Sequence, residues 1–470
     1  MGNLFTALTS AGQSLVAYEQ ALDVTQGNVT NANTPGYVEQ LPILQSIDSA
    51  TNNGQSAGVT EQTQDTRSQF AETAVQQQTS LLGEYQQLQS SLAPLQNVFD
   101  VSSSSAIPSA LNQLFQSFSN WSTQPTDGTA QSAVINAAQQ TATAFQQAAA
   151  QLASIRSSTR ATLQSTVAQI NADAAKIQNY NSRVASGDTS DSALQAQLYS
   201  TLDDLSSLVD VQVIPGNGGS VTVLVGGQTP LVIGTQVNAL QVANDASTGN
   251  GPPNVAILDN AGKDVTGQIT SGSLNGLLTV LNTVLPSLAG GGGQVGDLNT
   301  LAQSLADTVN NVLAQGSTTA TPPYQSGLPL FTYNSSSPST VAATLSVNSA
   351  ITPSQLAAVD PGPPPVSNGT ALKLAGLDSA PGGQINGLGF TQYFGSLVAQ
   401  VGNLANAANT NATAQAQVVT QAQNLRQQLS GVSLDEEAIR LVQLQGSYQA
   451  VSKVVTVIDE LTQSLLSMVQ

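Results

Sequence analysis

The chain has 470 residues, and its 10 Lys plus Arg against 28 Asp plus Glu give a formal net charge of −18 at pH 7. A charge of this sign repels phosphate backbones, so we expect no nucleic-acid partner. The chain contains no His and no Cys, which excludes an imidazole-based catalytic triad, a zinc site built on those residues and a disulfide framework. Only 8% of the residues are charged, so neutral polar residues and alanine must form most of the surface.

Targeting and membrane signals are missing from the sequence. The first basic residue is Arg67, whereas signal and transit peptides begin with basic residues. No apolar run reaches the roughly 18 residues that a membrane helix needs. We therefore expect no membrane partner and no cleaved leader, which leaves open a specialised export route.

The N-terminal segment carries apolar residues at heptad spacing, which predicts a long helix with a narrow contact stripe. Pro35-Gly36 then predicts a tight turn beyond its end. The predicted contact residues are Leu8, Leu15, Tyr18, Leu22 and Val29.

The C-terminal segment carries a stronger version of the same pattern. A capping box marks its start, with Ser433 as the N-cap and Glu436 three residues later. We predict that the two terminal helices pair as a coiled coil and that the rest of the chain is inserted between them. The predicted contact residues here are Leu441, Leu444, Tyr448, Val451, Val455, Ile458 and Leu465.

The overall pattern predicts a mainly α fold with β-rich insertions, hence an α+β class. Alternating valines around Pro215 to Gly219 and the stretch Val255–Leu258 predict hairpins. Val341–Val347 reads as a strand, and the four glycines 290–293 read as a flexible linker. The predicted parts are a terminal coiled-coil region (1–65 and 405–470), a helical stalk (66–210 and 271–315), a β-hairpin-rich region (211–270) and an outer β-rich insertion leading back to helix (316–404).

We find no catalytic constellation, and we expect no enzyme activity, cofactor or metal. The carboxylate clusters are Asp203-Asp204, Asp435-Glu436-Glu437 and Asp459-Glu460. Adjacent residues on a helix point in different directions, so we interpret these clusters as solvated faces or helix caps.

The segment after the first helix is distinctive, because Asn28, Asn31, Thr34, Pro35, Gly36 and Tyr37 combine a helix end with a tight turn. Their spacing resembles the Asn-x-x-Asn-x-x-Thr-Pro-Gly-Tyr motif of bacterial flagellar axial proteins. A basic residue commonly follows the Tyr in that family, whereas Val38-Glu39-Gln40 follow it here.

The C-terminal segment makes the resemblance more specific. The stretch from Ser430 to Glu437, followed by Leu444-Gln445 and Tyr448-Gln449-Ala450, is similar to the C-terminal signature of the FlgK family of hook–filament junction proteins. Interior patches are similar too, although residues 230–340 match loosely.

The resemblance implies a secreted, non-enzymatic subunit of the bacterial flagellum, located outside the cell at the junction between hook and filament and required for filament assembly. It implies export through the flagellar type III apparatus with an export chaperone. It also implies a ring of identical subunits, with hook protein below and the next hook-associated protein or the filament above. In this family the terminal helices pair only within the assembled tube.

Two other functions remain open on the sequence alone. One is another flagellar axial protein, such as a hook, rod or flagellin-like subunit. The other is a secreted adhesin or glycan-active protein carried on flagellar termini.

Overall fold

The computed structural model describes residues 2–46, 59–100, 106–187, 191–244, 252–379 and 385–469. Helices predominate and the sheets are small, in agreement with the predicted mainly α class with β-rich insertions. The helices are α1 (Gly2–Asn31), α2 (Gln69–Val98), α3 (Ile107–Thr123), α4 (Gly128–Ala185), α5 (Ser192–Leu208), α6 (Ser273–Thr279), α7 (Leu285–Ala289), α8 (Asp297–Gln315), α9 (Val341–Thr344), α10 (Gly369–Ala375), α11 (Phe390–Ser430) and α12 (Leu434–Val469).

The strands form antiparallel sheets that connect the helices. One sheet has the order β3-β4-β5-β6, while β1 pairs with β2, β7 with β8 and β9 with β10. Val255–Leu258 is a strand as predicted. It pairs with β7, and an antiparallel bridge between Leu258 and Asp264 also joins it to the segment after the predicted turn. The strands are β1 (Gln40–Ser46), β2 (Val59–Asp65), β3 (Val211–Pro215), β4 (Val221–Val225), β5 (Thr229–Ile233), β6 (Gln236–Val237), β7 (Gln241–Asn244), β8 (Val255–Leu258), β9 (Phe331–Thr332) and β10 (Ser346–Val347).

Long helices that pack side by side form the stalk. At about 1.5 Å per residue, the 58-residue helix α4 is close to 90 Å long. Asp127 is its N-cap, and the Asp127 side chain accepts a hydrogen bond from Thr129 N at 2.8 Å. Helix α11 packs along α2, so the border predicted at residue 404 falls inside a helix that runs along the stalk.

Helix α3 supplies much of the hydrophobic core. Its apolar residues recur at helical spacing and face α4 and α10. Burying side chains of this size contributes about 1.5–3 kcal/mol each. The core includes Leu111, Leu114, Phe118, Trp121, Phe145, Phe390 and Phe394.

The glycine run 290–293 is not the flexible linker that the sequence predicts. All four glycines have positive φ angles, which other residues rarely adopt. A Cβ at Gly290 would collide with the Val295 carbonyl oxygen, and one at Gly291 would lie 2.8 Å from Pro252 O. The run is therefore a closely packed turn between α7 and α8.

The predicted strand over residues 341–347 is also wrong for most of its length. Val341–Thr344 is a short helix, and strand β10 begins at Ser346. In the described part of residues 316–389, the strands are the two-residue β9 and β10. Proline, glycine and serine here produce turns and single helical turns instead of a sheet.

Candidate functional site

The first and last helices lie side by side and form what we call the terminal helix pair (α1 and α12). Most predicted contact residues are wholly or partly buried in it. Leu444 and Ile458 are buried, whereas Val29 and Leu465 remain 40% and 38% exposed. The half-buried ones are Leu8, Leu15, Tyr18, Leu22, Leu441, Tyr448, Val451 and Val455.

The most deeply buried positions of α1 are small or polar rather than leucines. Ala17 is 2% exposed, Ala21 is fully buried, and so are Thr25 and Asn28. The distance between two packed helices depends on the side chains at their contact, so alanines permit a close approach. The heptad leucines of α1 are only half-buried.

Both helices also present apolar side chains to solvent. On α12, Val442 is 70% and Ile439 is 61% exposed, and on α1 Phe5 is 73% exposed. Many exposed apolar side chains on two neighbouring helices are typical of an interaction surface. The other exposed members are Val16, Val29, Leu434, Val454, Val457, Leu461, Leu465 and Met468.

Where the terminal helix pair meets the stalk, the chain segments cross. We call this place the crossing point and define it by Asn28, Gly36, Glu39, Arg67, Glu72, Asp203, Arg426, Ser430, Glu437 and Arg440. Its hydrogen bonds and ion pairs connect α1, β1, α2, α5, α11 and α12.

Asn28 is the first residue of the predicted motif, and it is fully buried. Its Oδ1 accepts hydrogen bonds from Tyr37 Oη at 2.9 Å and Gln40 N at 3.0 Å. Its Nδ2 donates to Gln40 O at 2.8 Å and to Glu437 Oε2 at 3.0 Å. These four bonds use the full capacity of a side-chain amide, so Asn28 joins the end of α1 to the start of β1 and to α12.

The remaining motif residues shape the turn. Asn31 Oδ1 accepts from Thr34 Oγ1 at 3.2 Å, and Tyr37 N donates to Thr34 O at 3.1 Å. Pro35 is exposed. Gly36 has a φ of 77°, and a Cβ there would collide with the Ala196 carbonyl oxygen in α5. Only glycine lets this turn pack against the stalk.

A buried ion network lies next to the turn. The Arg67 side chain is 5% exposed; its Nη1 lies 2.6 Å from Glu72 Oε1, and its Nη2 donates to Gly36 O at 2.8 Å. Its guanidinium stacks on Tyr199, 3.5 Å from the ring centroid. Arg426 Nη1 lies 3.1 Å from Glu72 Oε2 and 2.8 Å from Asp203 Oδ2. This network links the motif turn to α2, α11 and α5.

Three connecting segments also meet at Ser430, which ends α11. Its carbonyl accepts from Glu39 N at 3.0 Å, and its Oγ donates to Thr66 O at 3.0 Å. The same Oγ accepts from Ser68 N at 3.0 Å. The segments that enter and leave the terminal helix pair are therefore bonded to one another.

The start of α12 carries a second charged group. Ser433 Oγ accepts from Glu436 N at 3.4 Å, as an N-cap does. Glu437 is fully buried and pairs with Arg440, whose Nη1 also lies 2.9 Å from Glu39 Oε1. Glu39, two residues after the motif Tyr37, therefore pairs with a basic residue of α12.

Burial changes the acidity of two of these carboxyls. Desolvation raises the pKa of Glu437, although the Asn28 bond and the Arg440 charge act to lower it. Desolvation likewise raises the pKa of Asp203 against the opposing effect of Arg426. The interpretation of these clusters as solvated faces or caps is therefore wrong for Glu437 and Asp203.

Sequence reasoning missed the charged part of the crossing point. Arg67 and Arg426 are 359 positions apart, and no local pattern marks either of them. The rarity of basic residues is the signal that could have pointed to them. The chain has only 10 basic residues against 28 acidic ones, so each basic residue is a candidate for an ion pair.

The contacts of the crossing point fix the positions of the helices that meet there. Across the described residues, we find no cluster of three or more side chains suited to ligating a metal ion. Among the helices described here, none combines the length and the hydropathy needed to cross a membrane.

Two protein families match parts of the chain. Residues 92–331 match the family described as "Flagellar hook-associated protein FlgK helical domain". Residues 426–468 match "Flagellar basal body rod FlgEFG protein C-terminal".

Two individual proteins are similar along most of the chain. The flagellar hook-associated protein 1 of Bacillus subtilis is 26% identical over 506 residues, covering 99% of both chains. The solved structure of the flagellar hook junction protein FlgK from Burkholderia pseudomallei has a TM-score of 0.64 at 16% identity. It covers 76% of this chain and 99% of that one, and at this identity it supports the fold.

Proposed function

The chain belongs to the FlgK family of flagellar hook-associated proteins, and on this premise we propose that it is a structural subunit of the junction between the flagellar hook and filament. The observation that carries the proposal is the exposed apolar surface of the terminal helix pair. Its exposed residues include Phe5, Ile439 and Val442. Identical subunits packed side by side would bury this surface.

In the proposed assembly, residues 1–40 and 434–470 form the inner tube, the stalk lies outside it, and the β-rich parts face solvent. The predicted contact residues, from Leu8 to Val29 and from Leu441 to Leu465, act within and between neighbouring copies. Val29 and Leu465, which a single chain leaves exposed, would be covered by another subunit.

We further propose that the subunits form a ring, with hook protein below and the next hook-associated protein or the filament above. The chain reaches this place by flagellar type III export with a chaperone, and it is secreted. A role as a mechanical adaptor between two tubes needs no catalysis, so the chain is not an enzyme.

Another axial protein is the second candidate, and one observation favours it. The match over residues 426–468 is to a family described for rod proteins, so the C-terminal helix alone fits any axial subunit. The FlgK helical-domain match over residues 92–331 favours the junction. A gene deletion separates the two: loss of the junction leaves hooks without filaments and releases flagellin into the medium, whereas loss of rod or hook protein removes the hook.

Val442→Asp tests the assembly surface directly. Val442 is 70% exposed in the single chain, so the purified variant should unfold like the wild type. In cells it should prevent filament attachment, because assembly would bury an unpaired charge. Gln443→Asp, at a neighbouring exposed position, is the matched control. Normal filaments with Val442→Asp would contradict the proposed surface.

A further inference from the structure

A cavity of about 430 Å³ lies between the middle of α4, the turn at Gly290 and the first turn of α8. It is separate from the terminal helix pair and from the crossing point. Apolar side chains form much of its wall, among them Ala149, Pro253, Val255, Leu281 and Leu298. Cavities of this size and character bind small molecules in other proteins.

Two arginines line this cavity. Arg156 and Arg160 are four residues apart on α4, so they share one face of the helix, where like charges repel. In the described part of the chain, neither lies within ion-pair distance of a carboxylate, whereas six of the other basic residues do. Two neighbouring unpaired guanidinium groups are unexpected in a chain of net charge −18.

The turn is shaped around Arg156. Its Nη2 donates to Gly290 O at 2.6 Å, and a Cβ at Gly291 would lie 2.7 Å from its Nη1. Glycines with φ of 83° and 122° therefore bring the backbone against the guanidinium. Burial alone lowers the pKa of Arg156, with no contribution from a carboxylate.

We propose that this cavity is a binding site for a small organic anion, with the anionic head on Arg156 and Arg160 and an apolar body against the wall. A guanidinium pairs with a carboxylate or phosphate through parallel N–H···O bonds, and a bound anion would relieve the repulsion between the two arginines. The apolar wall requires more than an inorganic ion. This inference does not depend on the proposed junction role.

Benzoate is the probe that tests the site, because it joins a carboxylate to a compact apolar ring. Calorimetric titration of the full-length chain should give saturable binding at one site. Benzyl alcohol, which lacks the charge, and inorganic phosphate, which lacks the apolar body, should each bind at least about tenfold more weakly.

Variants assign the binding to this cavity. Arg160→Gln removes a side chain with no hydrogen bond to lose in the described structure, and it should weaken benzoate binding about tenfold without a change in melting temperature. Arg160→Lys should restore part of the affinity. Arg183→Gln makes the same charge change farther along α4 and should leave binding unchanged. Ala153→Trp, which keeps both arginines but fills the cavity, should abolish binding.

Equal binding of benzyl alcohol, or wild-type affinity in Arg160→Gln or Ala153→Trp, would overturn the proposal. Absence of saturable benzoate binding up to about 10 mM would do the same, since it leaves no affinity above a nonspecific level.

Discussion

The crossing point and the terminal helix pair are neighbours, yet different interactions stabilise them. The crossing point contains buried polar groups such as Asn28, which makes four hydrogen bonds, and Arg67, whose two Nη atoms contact Glu72 and Gly36 O. In the terminal helix pair the most deeply buried residues of α1 are alanines and polar residues, and residues such as Val442 and Val457 are exposed. Long helices with one narrow contact gain little from burial against the entropy of ordering them. We therefore propose that the first region is stabilised within one chain, whereas neighbouring chains complete the second.

The largest expected effect separates these regions in cells. Val451→Asp places a charge in the half-buried contact between α1 and α12, at a cost of several kcal/mol once assembly closes that contact. We expect complete loss of attached filaments, measured by electron microscopy and by flagellin shed into the medium. Gln449→Asp, which lies on the exposed side, should assemble. Motile cells with attached filaments in the Val451→Asp strain would refute this placement.

The next largest effect concerns the stability of one chain. Arg67→Met leaves Gly36 O and Glu72 Oε1 without their buried donor, while Arg426 still contacts Glu72 Oε2. Removing one partner of a buried pair costs about 3–5 kcal/mol, and we expect a loss near the lower end of this range. Urea unfolding of the purified chain should show this loss in the free energy of unfolding. Arg183→Met removes a cation that is 46% exposed and should change stability by less than about 1 kcal/mol. If both variants lost the same free energy of unfolding, the buried pair would stabilise the chain no more than the surface pair, which would contradict this prediction.

Asn28→Ala should detach the terminal helix pair from an otherwise intact stalk. It leaves buried Glu437 without one donor and Gln40 without its partners, at a cost of about 3 kcal/mol. Limited proteolysis should cut α1 and α12 faster while the stalk stays resistant. Asn33→Ala, an exposed neighbour in the same turn, is the control. The connection would have to lie elsewhere if both variants were cut at the wild-type rate.

The smallest effect is a pH dependence at Glu437. Its pKa is raised in the folded chain, so the folded state binds the proton more tightly than the unfolded state does. Stability from this group is therefore greatest below the ordinary glutamate pKa and falls as pH rises through the folded value. The difference in unfolding free energy between wild type and Glu437→Gln should follow this trend. Glu436→Gln, at the adjacent exposed position, is the matched control.

The sequence predicted the features that depend on local periodicity. Heptad spacing predicted both terminal helices, and residues 28–37 predicted the turn. The sequence analysis does not identify α3 as a separate helix within the predicted stalk, although Leu111, Leu114 and Phe118 show helical spacing. The glycine content of residues 290–293 predicts a flexible linker, and this prediction is wrong. Glycines with positive φ angles occur in packed turns as readily as in linkers.

The interactions at the crossing point could not be predicted, because they join distant segments. Asn28 contacts Glu437, and Arg426 contacts Glu72, only after α1, α2, α11 and α12 have packed. Nothing next to Glu437 in the sequence distinguishes it from the exposed Glu436. Whether a charged side chain is buried depends on the tertiary structure. A helix-capping cluster and a buried ion pair therefore cannot be told apart from the sequence.

Hydrogen exchange of the purified full-length chain, compared with the same chain in isolated hook–filament junctions, tests the central claim most directly. We expect fast exchange over residues 2–27 and 441–469 in the free chain and strong protection in the assembly. Amides at the crossing point, such as those of Glu39 and Gln40, should be protected in both. Strong protection of both terminal helices in the free chain, unchanged on assembly, would contradict the account.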